Sequence, residues 1–382
     1  MKIQQLELFK VPPRWLFLKL TTSSGITGWG EPVLEGRTDS VAGAVMDLKE
    51  YIIGHDASRI EDLFNILSKG GFYRGGAVLM SAISGIEQAM WDIKGKALNT
   101  PVYNLLGGAV RDMVRVYGWI GGDTPDELLE KADERIKAGY TALKMNASGK
   151  IEWLNTARDI KNIKSSLAEL RRSIGDVINI GLDFHGRIHK SAIKALIAEL
   201  EEFHPMFYEE PVLPEFTDQL REIAAYTTIP LAMGERLIAR SEFKKLISEG
   251  IVDIIQPDIS HAGGIWETRK IAAMAEASDI AIAPHCAIGP IAFAAALQLN
   301  ICTPNAIIQE SSLGIHYNEG YDLMDYLKNK DDFKMKDGFI PNLSKPGLGI
   351  EINEEFVREM SKVEHNWRNP LWRAEDGSLL EW

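Results

Sequence analysis

Six carboxylate or imidazole side chains recur at a nearly constant interval through the middle of the 382-residue chain: Asp183, Glu209, Glu235, Asp258, His285 and Glu310, separated by 26, 26, 23, 27 and 25 residues. Each closes a short apolar run, in "INIGLDFH", "PMFYEEP", "PLAMGER", "VDIIQPDIS", "IAIAPHC" and "AIIQESS". Such runs read as buried strands, and the stretches between them hold one helix and two short loops. Steady alternation of strand and helix demands a parallel sheet. One polar residue at the exit of each strand is how a (β/α)8 TIM barrel builds an active site at the carboxyl ends of its strands.

The barrel is expected to begin near "VRVYGWIGG", with its second strand in "YTALKMN" and helices such as "SAIKALIAELEEF", "SEFKKLISEG" and "WETRKIAAMAEAS" between the marked strands. A barrel takes roughly 250 residues, so a second module is predicted. Residues 1–114 read as α+β, with a hairpin turning at Ser24-Gly25 in "RWLFLKLTTSSGITGWGEP" and helical spacing in "SVAGAVMDLKEYII", "RIEDLFNILSK" and "SAISGIEQAMWDIKGKAL". Residues 115–320 are assigned to the barrel and 321–382 to a C-terminal segment. Trp367, Trp372 and Trp382 in that segment predict that it packs onto the body. The glycine-rich "GGFYRGGAV" is a candidate lid.

The charge balance, 42 basic against 54 acidic residues or −12, comes without basic blocks and argues against nucleic acid or an anionic membrane surface as partner. No run of about 20 apolar residues occurs and the first residues lack a signal-peptide pattern, so a soluble, cytoplasmic protein is expected. Cys286 and Cys302 match no metal spacing and read as reduced and structural.

Asp183, Glu209 and Glu235 come from three successive strands and can converge at the barrel mouth. Three unpaired carboxylates would repel one another, a cost that a divalent cation removes. All-oxygen ligation favours Mg²⁺, or Mn²⁺ as a substitute, over zinc. Glu209 and Glu210 are neighbours on one strand, so only one can point inward. Each carboxylate could instead cap a helix or pair with Arg or Lys. His185 lies two residues beyond Asp183, and strand alternation places both toward the mouth. Asp258 precedes His285 by one strand; a carboxylate accepting the Nδ1 proton would leave Nε2 free as a base, making His185 the candidate acid. Glu310 could donate a hydrogen bond to a developing oxyanion if it is kept protonated. Together these groups suggest proton abstraction α to a carboxylate. His261 and His316 are candidates to line the mouth.

The motifs "PPRW", "GFYRGG", "AMWDIKGKAL", "GLDFHGR", "EEPVL", "GER", "QPDISHAGGI", "APHC", "GPIA", "GIHYN", "KPGLG" and "WRNPLWR" span the whole chain and resemble the mandelate-racemase-like group of the enolase superfamily, specifically its D-galactonate dehydratases. The resemblance implies the superfamily's modified barrel under an N-terminal α+β capping domain that the C-terminal segment completes. It implies one Mg²⁺ on Asp183, Glu209 and Glu235, so that Glu210 is left as a supporting or helix-facing residue. His185 would be the acid for the 3-hydroxyl, His285 with Asp258 the base for the C2 proton, and Glu310 the stabiliser of the intermediate. Racemases of this group resemble a Lys-x-Lys pattern on the second strand, where this chain has Lys144-Met145-Asn146; that departure favours dehydration. The expected substrate is an acid sugar, D-galactonate, giving 2-dehydro-3-deoxy-D-galactonate. Gluconate or a pentonate, and a non-catalytic metal-binding barrel, are the alternatives. Asn146 and Gln256 are candidate substrate contacts, and a homo-oligomer is expected.

Overall fold

A computed structural model describes residues 1–121 and 125–382. The expected first barrel run ends at Gly122, which lies outside the described residues. β1 (Ile3–Val11), β2 (Trp15–Thr22) and β3 (Thr27–Gly30) form an antiparallel sheet. The predicted hairpin is present, with Gly25 at φ +80°, a conformation that favours glycine. β1 escaped the sequence reading because "IQQLELFKV" does not alternate cleanly: its central residues are only partly buried. The helix expected over "SVAGAVMDLKEYII" divides at Leu48 into α1 (Thr38–Asp47) and α2 (Lys49–Ile52). α3 (Ile60–Lys69) and α4 (Ala77–Ala97) follow, then the short α5 (Val102–Leu105). α4 lies directly on β3, and two glycines make that possible: a Cβ on Gly30 would strike the Gly85 carbonyl, and one on Gly28 the Ala89 carbonyl.

Eight parallel strands make the barrel: β4 (Met113–Trp119), β5 (Ala142–Asn146), β6 (Asn179–Asp183), β7 (Phe207–Glu209), β8 (Leu231–Met233), β9 (Ile254–Ile255), β10 (Ala281–Ile282) and β11 (Gln309–Ser311). They pair in sequence order, β11 returns to lie beside β4, and Ile307 N donates to Ile282 O at 3.0 Å to close the ring. The intervening helices are α6 (Pro125–Lys137), α7 (Ala157–Ile174), α8 (Lys190–Leu200), α9 (Leu220–Ala224), α10 (Arg240–Glu249), α11 (Ile265–Glu276) and α12 (Pro290–Ile301). Among the described residues no α-helix follows β11 directly, so the eighth unit ends on its strand. Tyr117, Ala142, Phe207, Ala232, Ile254, Ala283 and Ile308 pack together as the apolar filling of the ring. Gly181 makes room for it, since a Cβ there would approach the Phe207 ring to 2.8 Å. Register partners in a parallel pair face the same side, and Glu209 pairs with Ala232 while Glu310 pairs with Tyr117. Both acidic residues therefore point into the ring, at its carboxyl end.

Beyond the barrel the chain adds β12 (Phe339–Pro341) antiparallel to β4, an element its Gly- and Pro-rich surroundings concealed. α13 (Glu354–Met360) then returns to the first sheet, where Glu354 meets Lys19 at 2.8 Å and Arg358 meets Glu7 at 2.9 Å. The short pair β13 (Trp372–Arg373) and β14 (Leu379–Leu380) ends the fold. No helix among the described residues is long and apolar enough to cross a membrane.

Two buried carboxylates tie the first module to the barrel by occupying helix N-termini, where unpaired N–H groups collect. Glu31 accepts from Gly289, Ile291 and Ala292 N at 2.7, 3.1 and 3.0 Å, at the start of α12. Glu87 accepts from Ile265 and Trp266 N at 2.7 and 2.9 Å, at the start of α11, and from Trp91 Nε1 at 2.6 Å. Glu87→Ala leaves three donors without their acceptor, and a loss of about 3 kcal/mol in urea-monitored unfolding is expected. A loss under about 1 kcal/mol would mean that water replaces the carboxylate freely.

Candidate active site

The carboxyl ends of the strands surround a cavity of about 430 Å³, lined among others by Lys144, His185, Glu235, His285 and Glu310. Asp183 and Glu209 end β6 and β7 and are register partners. Both are fully buried. Glu235 and Asp258 lie just past β8 and β9, and His285 just past β10. Because β6 and β10 are four strands apart in a ring of eight, His185 and His285 face each other across the mouth.

His285 Nδ1 lies 2.7 Å from Asp258 Oδ2, and its Nε2 is 3.6 Å from both Glu235 Oε2 and Glu310 Oε2. Burial disfavours the imidazolium, but Glu310, Glu235 and Asp258 outweigh it and hold the pKa well above its ordinary value. His185 behaves oppositely: burial pulls it down to about 4 against the attraction of Asp183 and Glu235. Its position corrects the sequence argument. β6 stops at Asp183, and His185 sits in a turn at φ +47°, with its N–H on Asp183 Oδ1 at 2.9 Å. Side-chain alternation therefore does not aim it; the turn does, bringing Nε2 to 3.1 Å from Asp183 Oδ2.

Lys144 enters the sequence reading only as the first member of Lys144-Met145-Asn146, with no role assigned, yet its ammonium occupies the centre of the acidic group. Nζ is 2.7 Å from Glu209 Oε1, 3.0 Å from Glu310 Oε1 and 3.1 Å from Asp183 Oδ2, over the rings of Tyr117 and Trp119. Burial opposes its charge, but Glu209 and Glu310 raise its pKa well above the ordinary value. The signal was available, because Lys144 is two residues from Asn146 on one strand and thus on one face. Glu310 pairs with Lys144 and accepts from Cys286 N at 3.0 Å.

The residues fit a cation. Asp183, His185 and Glu235 each place one donor atom within 4.8 Å of the others. Glu209 is outside that tightest group; its Oε1 accepts from Lys144, and its Oε2 is buried without a hydrogen-bond partner, as are Asp183 Oδ2 and Glu235 Oε2. Asp183 Oδ2 is within ion-pair distance of Lys144 and His185 but aligned for a hydrogen bond with neither. Burial, with repulsion from Asp183, pushes the Glu209 carboxyl well above the usual range. Glu210 turns away to pair with Arg236.

Asn146 and Gln256 are absent from the cavity lining; Gln256 is fully buried, and the Asn146 Oδ1 and both Gln256 amide atoms lack partners. The cavity is completed instead by Arg14, Glu35, His261, Tyr317, Trp367 and Trp382. Trp367 and Trp382 are 6.2 Å apart and each lies 5.9 Å from Tyr317, so the tail roofs the mouth. Trp372 packs under the Arg187 guanidinium at 4.8 Å. Phe72 and Tyr73 of the candidate lid are 92% and 89% exposed and do not reach the cavity; Ala77, at the start of α4, does. Cys286 and Cys302 are free thiols in the interior.

Residues 12–107 match the model of the mandelate racemase / muconate lactonizing enzyme N-terminal domain, and residues 127–356 that of the enolase C-terminal domain-like family. The chain is 51% identical over 382 residues to the D-galactonate dehydratase of Pectobacterium atrosepticum and 52% identical to that of Xanthomonas axonopodis pv. citri, covering 100% of each. Among solved structures it is similar to an enolase from Agrobacterium radiobacter with bound Na and L-malate, at a TM-score of 0.92 and 31% identity with all of both chains covered. A mandelate racemase/muconate lactonizing enzyme from Sulfitobacter sp. aligns at a TM-score of 0.89 and 30% identity, over 98% of this chain and 99% of its own.

Proposed function

This chain belongs to the mandelate racemase / muconate lactonizing enzyme family of the enolase superfamily, and from that membership we propose that it is a Mg²⁺-dependent hydro-lyase that converts D-galactonate to 2-dehydro-3-deoxy-D-galactonate and water. The observation that carries the reading is the pairing of two imidazoles across one mouth, one of them held at 2.7 Å by Asp258, with buried carboxylates between them. Asp183, Glu209 and Glu235 would hold the cation. When bound it supplies Lewis-acid stabilisation of the charge that develops on the substrate carboxylate as the C2 proton leaves.

His285 Nε2 takes that proton, while Asp258 fixes the tautomer and ring orientation through Nδ1. Lys144, paired with Glu310, offers a fixed positive charge beside the developing anion. His185 protonates the departing 3-hydroxyl from the opposite side, and the enol left behind tautomerises to the 2-keto acid. The fields in the free protein favour an imidazolium at His285 and a neutral ring at His185, the reverse of the starting states this chemistry needs. A cation held there would offset the charge of Glu235, one of the three carboxylates behind the first pull, and an anionic substrate beside His185 would oppose the second.

A Mg²⁺-supplemented screen over galactonate, gluconate and pentonates, reading the 2-keto product, is expected to give turnover with galactonate as the best substrate. Turnover confined to another aldonate would reassign the substrate, and none on any aldonate would leave a binding protein.

A further inference from the structure

The wall of the cavity supplied by the N-terminal module carries a compact charged group that the proposed chemistry does not use. Arg14, one residue before β2, is almost completely buried, donates to Ala287 O and lies 3.4 Å from Asn318 Oδ1 and 3.7 Å from Glu35 Oε1. His261 has both ring nitrogens engaged, Nδ1 with Ser81 Oγ at 2.9 Å and Nε2 with Glu35 Oε2 at 3.3 Å. One carboxylate thus lies against two cationic groups. Their exposures decide which charge the cavity meets: the Glu35 side chain is 20% exposed, against 2% for Arg14 and 7% for His261. All three line the cavity, and the carboxylate is the most exposed of them.

The other cations around this cavity have partners. Arg236 is paired with Glu210, Arg187 donates to Ser148 O at 2.7 Å and packs on Trp372, and Lys144 is surrounded by carboxylates. A substrate carboxylate has a counter-charge at the cation-binding end of the cavity. A second carboxylate that reached the wall supplied by the N-terminal module would be repelled by Glu35, the most exposed charge of that group. A hydroxyl there would not, since it can donate to the carboxylate.

We infer that Glu35 is a specificity-determining residue, admitting monocarboxylic acid sugars that end in a neutral hydroxymethyl group and turning away dicarboxylic ones by charge repulsion. Specificity built on an adverse contact with the wrong ligand is as effective as an added contact with the right one. The inference rests on the acid-sugar reading above. Burial opposes ionisation of Glu35, but His261 and Arg14 outweigh it and bring its pKa down to about 2, so the charge is present at neutral pH.

D-galactonate and galactarate share their configuration at C2 to C5 and differ at C6, hydroxymethyl in one and carboxylate in the other. Calorimetric affinity and kcat/KM of the Mg²⁺-loaded protein are expected to favour galactonate by on the order of 100-fold, the size of one close like-charge contact in a partly solvated site. Glu35→Gln, which keeps shape and removes charge, is expected to narrow that ratio by about 10-fold or more, and Glu35→Asp to keep most of it. A test independent of any variant uses the C6 methyl ester of galactarate, whose neutral end is expected to recover most of the lost affinity. Equal affinity of the unaltered protein for both acids, an unchanged ratio in Glu35→Gln, or rejection of the ester as strong as that of the diacid would each overturn the inference. Discrimination in binding with no turnover of either acid would uphold the role of Glu35 and remove the dehydratase reading alone; binding of neither acid would remove both.

Discussion

His285→Asn is expected to lower kcat by about 10²–10⁴-fold, the usual worth of a positioned general base, and to abolish exchange of the C2 proton with solvent deuterium. The fold has no reason to fail, because an amide can keep a donor directed at Asp258 Oδ2, which lies 2.7 Å from the imidazole it replaces. His185→Asn separates the two halves of the reaction. It too is expected to lose dehydration, by a similar factor, but the base on the far side of the mouth is intact, so deuterium is still expected to enter at C2. Exchange followed by NMR in D₂O, beside the 2-keto assay, distinguishes the variants. Retained exchange in His285→Asn would move the base elsewhere, and loss of exchange in His185→Asn would mean that its imidazole is needed to bind the substrate or to take the first proton.

The parts of this site that were legible in the sequence are those a strand period can report. Asp183, Glu209, Asp258 and His285 each sit at or just past a strand terminus and Glu310 one residue before one, and the spacing of βα units places them at one rim whatever the loops do. The fold was legible for the same reason: buried strands and amphipathic helices alternate with a period too regular for another architecture. What the period cannot report is orientation inside a turn. His185 reaches the mouth through its own left-handed backbone conformation rather than from an extended strand, so strand alternation does not aim it. Nor can it report contacts made across hundreds of residues. Arg14, Trp367 and Trp382 line the cavity with the barrel residues, yet no local pattern links "PPRW" near the start to "WRNPLWR" near the end. β1 was missed because its central residues are only partly buried, and β12 because glycine and proline surround it and its partner β4 is distant in sequence.

Lys144 yields the other large effect, because the three carboxylates around it are buried and cannot turn to water. Lys144→Met keeps the length of the side chain and removes its charge, leaving Asp183, Glu209 and Glu310 with one cation fewer inside the ring. Removing one partner of a buried ionic group costs about 3–5 kcal/mol, since the charges that stay behind are uncompensated. In EDTA the variant is therefore expected to unfold earlier in urea by that amount. Mg²⁺ binding is linked to folding through RT ln(1 + [L]/Kd), and a site made more negative binds a divalent cation more favourably, so the added ion is expected to stabilise the variant by more than it stabilises the unaltered protein. Activity is expected to fall even at saturating Mg²⁺, because the lysine also offers its charge to the developing anion. The two consequences separate its roles. Equal stabilisation of both proteins by Mg²⁺ would show that Lys144 and the cation do not share the same carboxylates, and full activity at saturating metal would show that its charge serves the fold and not the reaction.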